Sequence, residues 1–173
     1  MSRIGLLGLV LTTVTGCVSF SDRHFDPVTR ELSRQAPELE MRKEFAISIG
    51  STLINTVDLL AVGSELDFSS LDKVQVAIYR IPLDADLQHV DVTSSLAELN
   101  RSLTWDTVVR VRDPGEQTWV LMGMDERRQT IRAVSLMVVQ QGELVLVHVD
   151  GEMEQMIDFA LRPARERQGL SHS

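Results

Sequence analysis

Four side chains with metal-ligating atoms fall close together in the middle of the chain. Asp84, Asp86, His89 and Asp91 all follow Pro82. Three carboxylates and one imidazole offer the oxygen and nitrogen ligands that divalent cations take in proteins. One interpretation is therefore a metal site, and with it a metal-dependent hydrolase. We favour the other interpretation, a solvated loop between a strand and a helix in which Asp91 is the helix N-cap.

His148 is the second residue whose type suits catalysis. It lies between Val147 and Val149 in a segment that alternates like a strand. An imidazole in a site can act as a general base. A strand residue that faces away from two valines is more often structural, and we expect that role here.

Arginines and tryptophans offer two further ligand sites. Arg110 and Arg112 fall on one face of a predicted strand, and Arg132 falls on a neighbouring one. They suit an anion, although arginines on an exposed antiparallel face are ordinary. Trp105 and Trp119 flank the first hairpin, and we expect them to pack in the core or at its edge rather than to form a ligand platform.

The remaining catalytic motifs are absent from the sequence. It contains no Gly-x-Ser-x-Gly, no phosphate-binding glycine loop and no Cys/His spacing for zinc. We therefore predict no catalytic residues, no cofactor and no enzyme.

The start of the chain has the pattern of a secretory signal peptide. Arg3 gives it a basic beginning, and residues 4–14 form an apolar run. That run is shorter than the ~20 residues that span a bilayer. We predict a signal peptide over residues 1–16.

The segment Val14-Thr15-Gly16-Cys17 resembles the bacterial lipobox. This resemblance implies cleavage between Gly16 and Cys17, a diacylglyceryl group on the thiol and an acyl chain such as palmitate on the freed amine. Two or three chains hold a protein stably at a membrane. Cys17 is the only cysteine, which suits a lipidated residue better than a free exported thiol. The alternatives are a plain secretory peptide that contains a cysteine, or an apolar helix of the fold.

Localisation and partners follow from the same region and from charge. Val18 replaces the Asp that commonly retains lipoproteins at the inner membrane, so we expect the cell envelope and, in a cell with two membranes, the outer membrane facing the periplasm. The chain has 17 basic and 25 acidic residues, which argues against nucleic acid. The predicted partners are the membrane, through lipid on Cys17, and another envelope protein; the oligomeric state is left open.

Periodicity divides the rest of the chain. Alternating apolar residues predict strands, and apolar residues at helical spacing predict helices. The strands are expected over 45–49, 73–81, 108–112, 119–124, 131–139 and 144–149, and the helices over 52–62, 94–103 and 153–161. Short connections between the last four strands favour an antiparallel meander. We predict an α+β fold with a mainly antiparallel sheet and helices on one face.

The predicted domain organisation is simple. A tether with a short helix beginning near Asp26-Pro27 precedes a single α+β domain, and a flexible polar tail follows it. After the signal peptide, these parts are expected over residues 17–43, 44–162 and 163–173.

The chain from 45 to 161 resembles a bacterial family, domain of unknown function 4252, whose members are mostly small lipoproteins. The likeness is one of fold pattern. It is carried by the segments Leu71 to Ile78, Trp105 to Val149 with its Asp113-Pro114-Gly115 turn, and Val147 to Met153. The resemblance implies no activity and no catalytic motif.

These observations predict a lipid-anchored envelope protein that acts as a non-enzymatic interaction or binding module. The alternative is a carrier of a small apolar ligand between sheet and helices. The apolar strand over 131–139, together with Met153 and Met156, favours that alternative.

Overall fold

The computed structural model describes residues 18–54, 70–85, 87, 89–113 and 115–154. The strands with defined bounds are β1 (Val18–Ser19), β2 (Arg42–Gly50), β3 (Leu71–Arg80), β4 (Thr104–Asp113), β5 (Glu116–Asp125), β6 (Thr130–Gln140) and β7 (Glu143–Gly151). The helical elements are a 3-10 turn (Arg23–Phe25), α1 (Asp26–Gln35) and α2 (Val92–Ala97).

The seven strands form one antiparallel sheet in the order β1-β2-β3-β7-β6-β5-β4. The last four strands follow one another as a meander, as their short connections predicted. Between β3 and β4 the chain passes through α2 to the opposite edge of the sheet. The prediction of an α+β fold with a mainly antiparallel sheet is confirmed.

One face of the sheet, which we call the helix-covered face, carries the main core. Ala77, Leu146, Met137 and Trp119 are aligned across four neighbouring strands of this face, and none is more than 2% exposed. The buried residues of α1 and α2 belong to the same cluster. Burying each large apolar side chain contributes about 1.5–3 kcal/mol.

The opposite face, which we call the second face, is also apolar. Because side chains alternate along a strand, it carries the residues between those of the main core. Ile54, Leu71 and Met153 form a smaller buried cluster against it. Residues 51–54 are helical, so helical residues lie on both faces. Most residues of the two helices predicted over 52–62 and 153–161 lie outside the described residues.

The segment expected to be a tether is instead part of the fold. Val18 pairs with Ile49 at the sheet edge. Phe25, Val28 and Leu32 are at most 1% exposed in the main core. Their spacing of three and four residues places them on one side of the helical segment. The predicted short helix does begin at Asp26, and its apolar residues Val28 and Leu32 are buried.

Helix α2 is shorter than the predicted 94–103. Asp91 is its N-cap, as predicted, and the Asp91 side chain accepts a hydrogen bond of 3.0 Å from the Ser94 amide. The next residues form turns, and the Trp105 indole donates to the Asn100 carbonyl at 2.9 Å.

Substituting Gly151 with alanine is expected to destabilise the fold strongly. Gly151 has φ +150°, and a Cβ there would overlap the Ser70 carbonyl oxygen and lie 2.8 Å from the Leu71 Cα. Strain and overlap together should lower the free energy of unfolding by about 2–4 kcal/mol in urea titrations. Gly115→Ala is the matched control, since Gly115 has φ +89° but open space around it; it should cost only about 1 kcal/mol. Equal losses would contradict the overlap.

Candidate functional site

A row of buried polar side chains interrupts the helix-covered face. Gln75, His148 and Ser135 lie side by side on β3, β7 and β6. Gln75 is 3% exposed, and His148 and Ser135 are fully buried. Polar groups in such a place destabilise the fold unless they are hydrogen-bonded. The contacts of this row therefore decide what the site can do.

Both ring nitrogens of His148 have partners. Nδ1 lies 2.7 Å from the Ser135 Oγ, and Nε2 lies 3.1 Å from the Asp150 Oδ1. A carboxylate can only accept, so Nε2–H donates to Asp150 and Nδ1 accepts the Ser135 hydroxyl. Burial raises the pKa of Asp150, but the hydrogen bond from His148 and the electrostatic interactions with His148, His24 and Lys73 outweigh burial and hold that pKa below its usual value.

His24 covers this network from the 3-10 turn. Its ring centroid lies 4.9 Å from that of His148, with the rings inclined by 34°. The Trp105 ring lies 5.9 Å from His148 on another side. The Nε2 of His24 is buried and has no hydrogen-bond partner among the described residues.

The imidazole of His24 is held in its neutral form. Burial, then the neighbouring His148 and Lys73, lowers the pKa of His24 to about 4, although Asp150 acts in the opposite direction. An uncharged ring therefore lies against His148 at neutral pH.

Contacts on both sides hold the 3-10 turn over the sheet. Phe25 is buried in the main core. Asp22 accepts hydrogen bonds from the Tyr79 hydroxyl at 3.1 Å and from the Lys43 ammonium at 2.9 Å. Burial opposes ionisation of Asp22, but these two donors lower its pKa below the ordinary value. The N-terminal segment therefore holds His24 in place, because Phe25 packs in the core and Asp22 binds two side chains of the sheet.

Serine, histidine and aspartate in contact also occur in hydrolases, where the histidine activates the serine. Ser135 and His148 are fully buried here, so a substrate cannot reach the hydroxyl. The arrangement instead brings together ligand atoms. His24, His148 and Asp150 each contribute one such atom, and the three atoms lie within 4.8 Å of one another.

The cluster predicted from sequence proximity does not converge in the described residues. Asp91 caps α2, while Asp84 and His89 are exposed. Asp86 lies outside the described residues. In the described part of the chain, the one group of three metal-ligating side chains is that of His24, His148 and Asp150. The loop and cap interpretation is confirmed for Asp91.

Arg132 lies on β6 and has partners of its own, whereas Arg110 and Arg112 both lie on β4. Arg110 lies over the Trp119 ring, 5.8 Å from its centroid. Arg132 forms ion pairs with Asp72 at 3.2 Å and with Glu152 at 3.1 Å, so its charge is already neutralised.

The tryptophans belong to the core, as predicted. Trp119 is 2% exposed and Trp105 is 9% exposed.

Sequence analysis identified His148 but not its partners. Asp150 lies two positions along the same strand, so strand alternation alone predicts that both face the same side. Ser135 could be found only from the register of β6 and β7. His24 gave no signal, because the polar segment around it was taken as a tether.

Gly16 and Cys17 lie outside the described residues, and lipidation stays a prediction. Among the helices that the structure describes, none is long and apolar enough to cross a membrane. Comparisons with protein-family models, curated proteins and solved structures found no match.

The stability of the fold is expected to fall as the pH drops from about 6.5 to about 4. In that window an unfolded chain protonates His24 while the folded chain does not, so acid favours unfolding. Because His24 is only partly buried, we expect a loss of about 1–2 kcal/mol in urea titrations across this range. His24→Gln should remove that part of the pH dependence, and His89→Gln, at an exposed position, should not. The same dependence in all three proteins would contradict this role for His24.

Ser135→Ala is expected to destabilise the fold by about 1–3 kcal/mol, because it leaves the buried Nδ1 of His148 without a donor. Chemical denaturation measures the difference. Ser33→Ala is the control, since Ser33 is exposed on α1 and should change stability by less than about 0.5 kcal/mol. Equal stability of the two variants would mean that this hydrogen bond does not stabilise the fold.

Proposed function

We propose that this chain is a lipid-anchored bacterial envelope protein whose folded domain is a non-enzymatic binding module. The proposal that the domain is a non-enzymatic binding module rests on the burial of the network of Ser135, His148 and Asp150, which has the residue types of a catalytic site. Ser135 and His148 have no exposed surface. A buried hydroxyl cannot attack a substrate, so the network supports a structural or binding role rather than hydrolysis.

The anchor proposal rests on the sequence before the fold. The lipobox-like segment ends at Cys17, and the sheet begins with Val18, which pairs with Ile49. One residue spans at most ~3.6 Å. Lipid on Cys17 would therefore hold the β1–β2 edge close to the bilayer, without a long linker. Such a module is expected to act on partners in the membrane or beside it, such as another envelope protein.

A carrier of a small apolar ligand is the second candidate, and the second face favours it. The exposed fractions on this face are 43% at Phe45, 44% at Val109 and 40% at Val111. Phe45 lies on β2, and the two valines lie on β4 near the opposite edge of the sheet. Exposed apolar side chains such as this valine pair commonly mark a site of binding. A ligand held by Val109 and Val111 would be apolar, because the two side chains offer no hydrogen-bonding group.

The anchor is tested by expressing the full chain in bacteria that are supplied with labelled palmitate. We expect label on the wild-type protein and none on Cys17→Ala, since the thiol is the acceptor. Cys17→Ser serves as a control that keeps the size and polarity of the side chain. Label on both proteins, or on neither, would contradict lipidation at Cys17.

Native mass spectrometry distinguishes the two candidate functions. A carrier purified from bacteria should retain a small apolar molecule in a fixed ratio to the chain, and Val109→Lys should reduce that ratio. Glu126→Lys, an exposed change at a turn, should leave it unchanged. If the purified chain carries no bound molecule, the carrier function is contradicted and the binding module remains the proposal.

A further inference from the structure

We propose that His24, His148 and Asp150 form a binding site for a divalent transition-metal ion, and that Zn²⁺ suits it. Two imidazoles and one carboxylate are a common ligand set for zinc with three protein ligands and one open position. The proposal is independent of the anchor, since it rests on the interior of the folded domain.

The spacing of the ligand atoms fits such an ion. Zinc binds nitrogen and oxygen at about 2.0–2.2 Å, so two ligands at a tetrahedral ion lie roughly 3.3 Å apart. The Nε2 of His148 and the Oδ1 of Asp150 lie 3.1 Å apart. The ligand atom of His24 is within 4.8 Å of both, so an inward movement of that ring closes the set.

One ring nitrogen at the site is also free to bind an ion. The buried Nε2 of His24 has no hydrogen-bond partner among the described residues. A metal that binds this atom therefore breaks no hydrogen bond of the described structure.

Ser135 supplies the support that a ligating histidine needs. Metal-binding imidazoles almost always use their second nitrogen in a hydrogen bond, which fixes the ring. When a metal replaces the proton on Nε2 of His148, that proton moves to Nδ1, and Nδ1–H donates to the Ser135 Oγ 2.7 Å away. The ring carries one proton before and after, so it stays neutral. Ser135 is a positioning residue for the site.

Two neighbours set the affinity. Gln75 lies beside His148 across β3 and β7, and its buried Oε1 has no hydrogen-bond partner among the described residues. This oxygen can accept a hydrogen bond from a water that enters the site. Lys73 lies opposite Asp150 in the register, and its positive charge opposes a cation. The site should therefore bind zinc more weakly than a structural site with four protein ligands.

The test is calorimetric titration of the chelator-treated full chain with Zn²⁺. We expect one ion per chain. His24→Gln and Asp150→Asn should each lower the zinc affinity by about 10- to 100-fold or more. Loss of a residue that only hydrogen-bonds to a ligating histidine already lowers the affinity by this range. The exposed pair His89→Gln and Asp84→Asn is the matched control and should bind as wild type does.

Lys73→Gln keeps the test valid if a ligand variant folds poorly. Removing this charge should tighten zinc binding by about fivefold, because the like-charge repulsion is lost. A gain of affinity cannot come from unfolding. The proposal is overturned if wild type binds no zinc, if His24→Gln and Asp150→Asn bind as tightly as wild type, or if His89→Gln abolishes binding.

Discussion

The structure depends on one buried imidazole. His148 lies on β7, the middle strand of seven, and each ring nitrogen needs a partner that water cannot provide. Ser135 and Asp150 are those partners. The hydrogen bond between Ser135 on β6 and His148 on β7 favours a single register of these strands, because a slip of one residue would move one of the two side chains to the second face. The 3-10 turn then places His24 over the ring, which makes the N-terminal segment part of the fold.

Much of the sheet could be predicted because its signal is local. Alternation of apolar residues in β3, β6 and β7 predicts strands, and the short turns between the last four strands predict their pairing. For the polar residues after Pro82, the favoured interpretation as a loop and a cap holds at Asp91, since residues adjacent in sequence need not converge in space. His24 and His148 are far apart in the sequence, and no sequence pattern predicts that their rings are in contact. The tether was misjudged because Phe25, Val28 and Leu32 are separated by polar residues.

The two faces of the sheet suggest separate roles. The helix-covered face holds a polar network whose serine and histidine are fully buried, which favours binding or stability over catalysis. The second face is apolar, and Phe45 and Val109 remain exposed on it. Lipid on Cys17 would keep the β1 edge of the sheet close to a membrane, because β1 starts at the next residue. The proposed function and the proposed metal site thus concern different parts of one small domain.

The most direct test of this account is the tautomer of His148 in the metal-free chain. It can be read at neutral pH from long-range proton–nitrogen correlations in a ¹⁵N-labelled sample. Hydrogen bonds to Ser135 and Asp150 predict that Nε2 carries the proton and that Nδ1 accepts. A proton on Nδ1, or a mixture of the two forms as in a free imidazole, would contradict the network on which the register, the burial of the N-terminal segment and the ligand set depend.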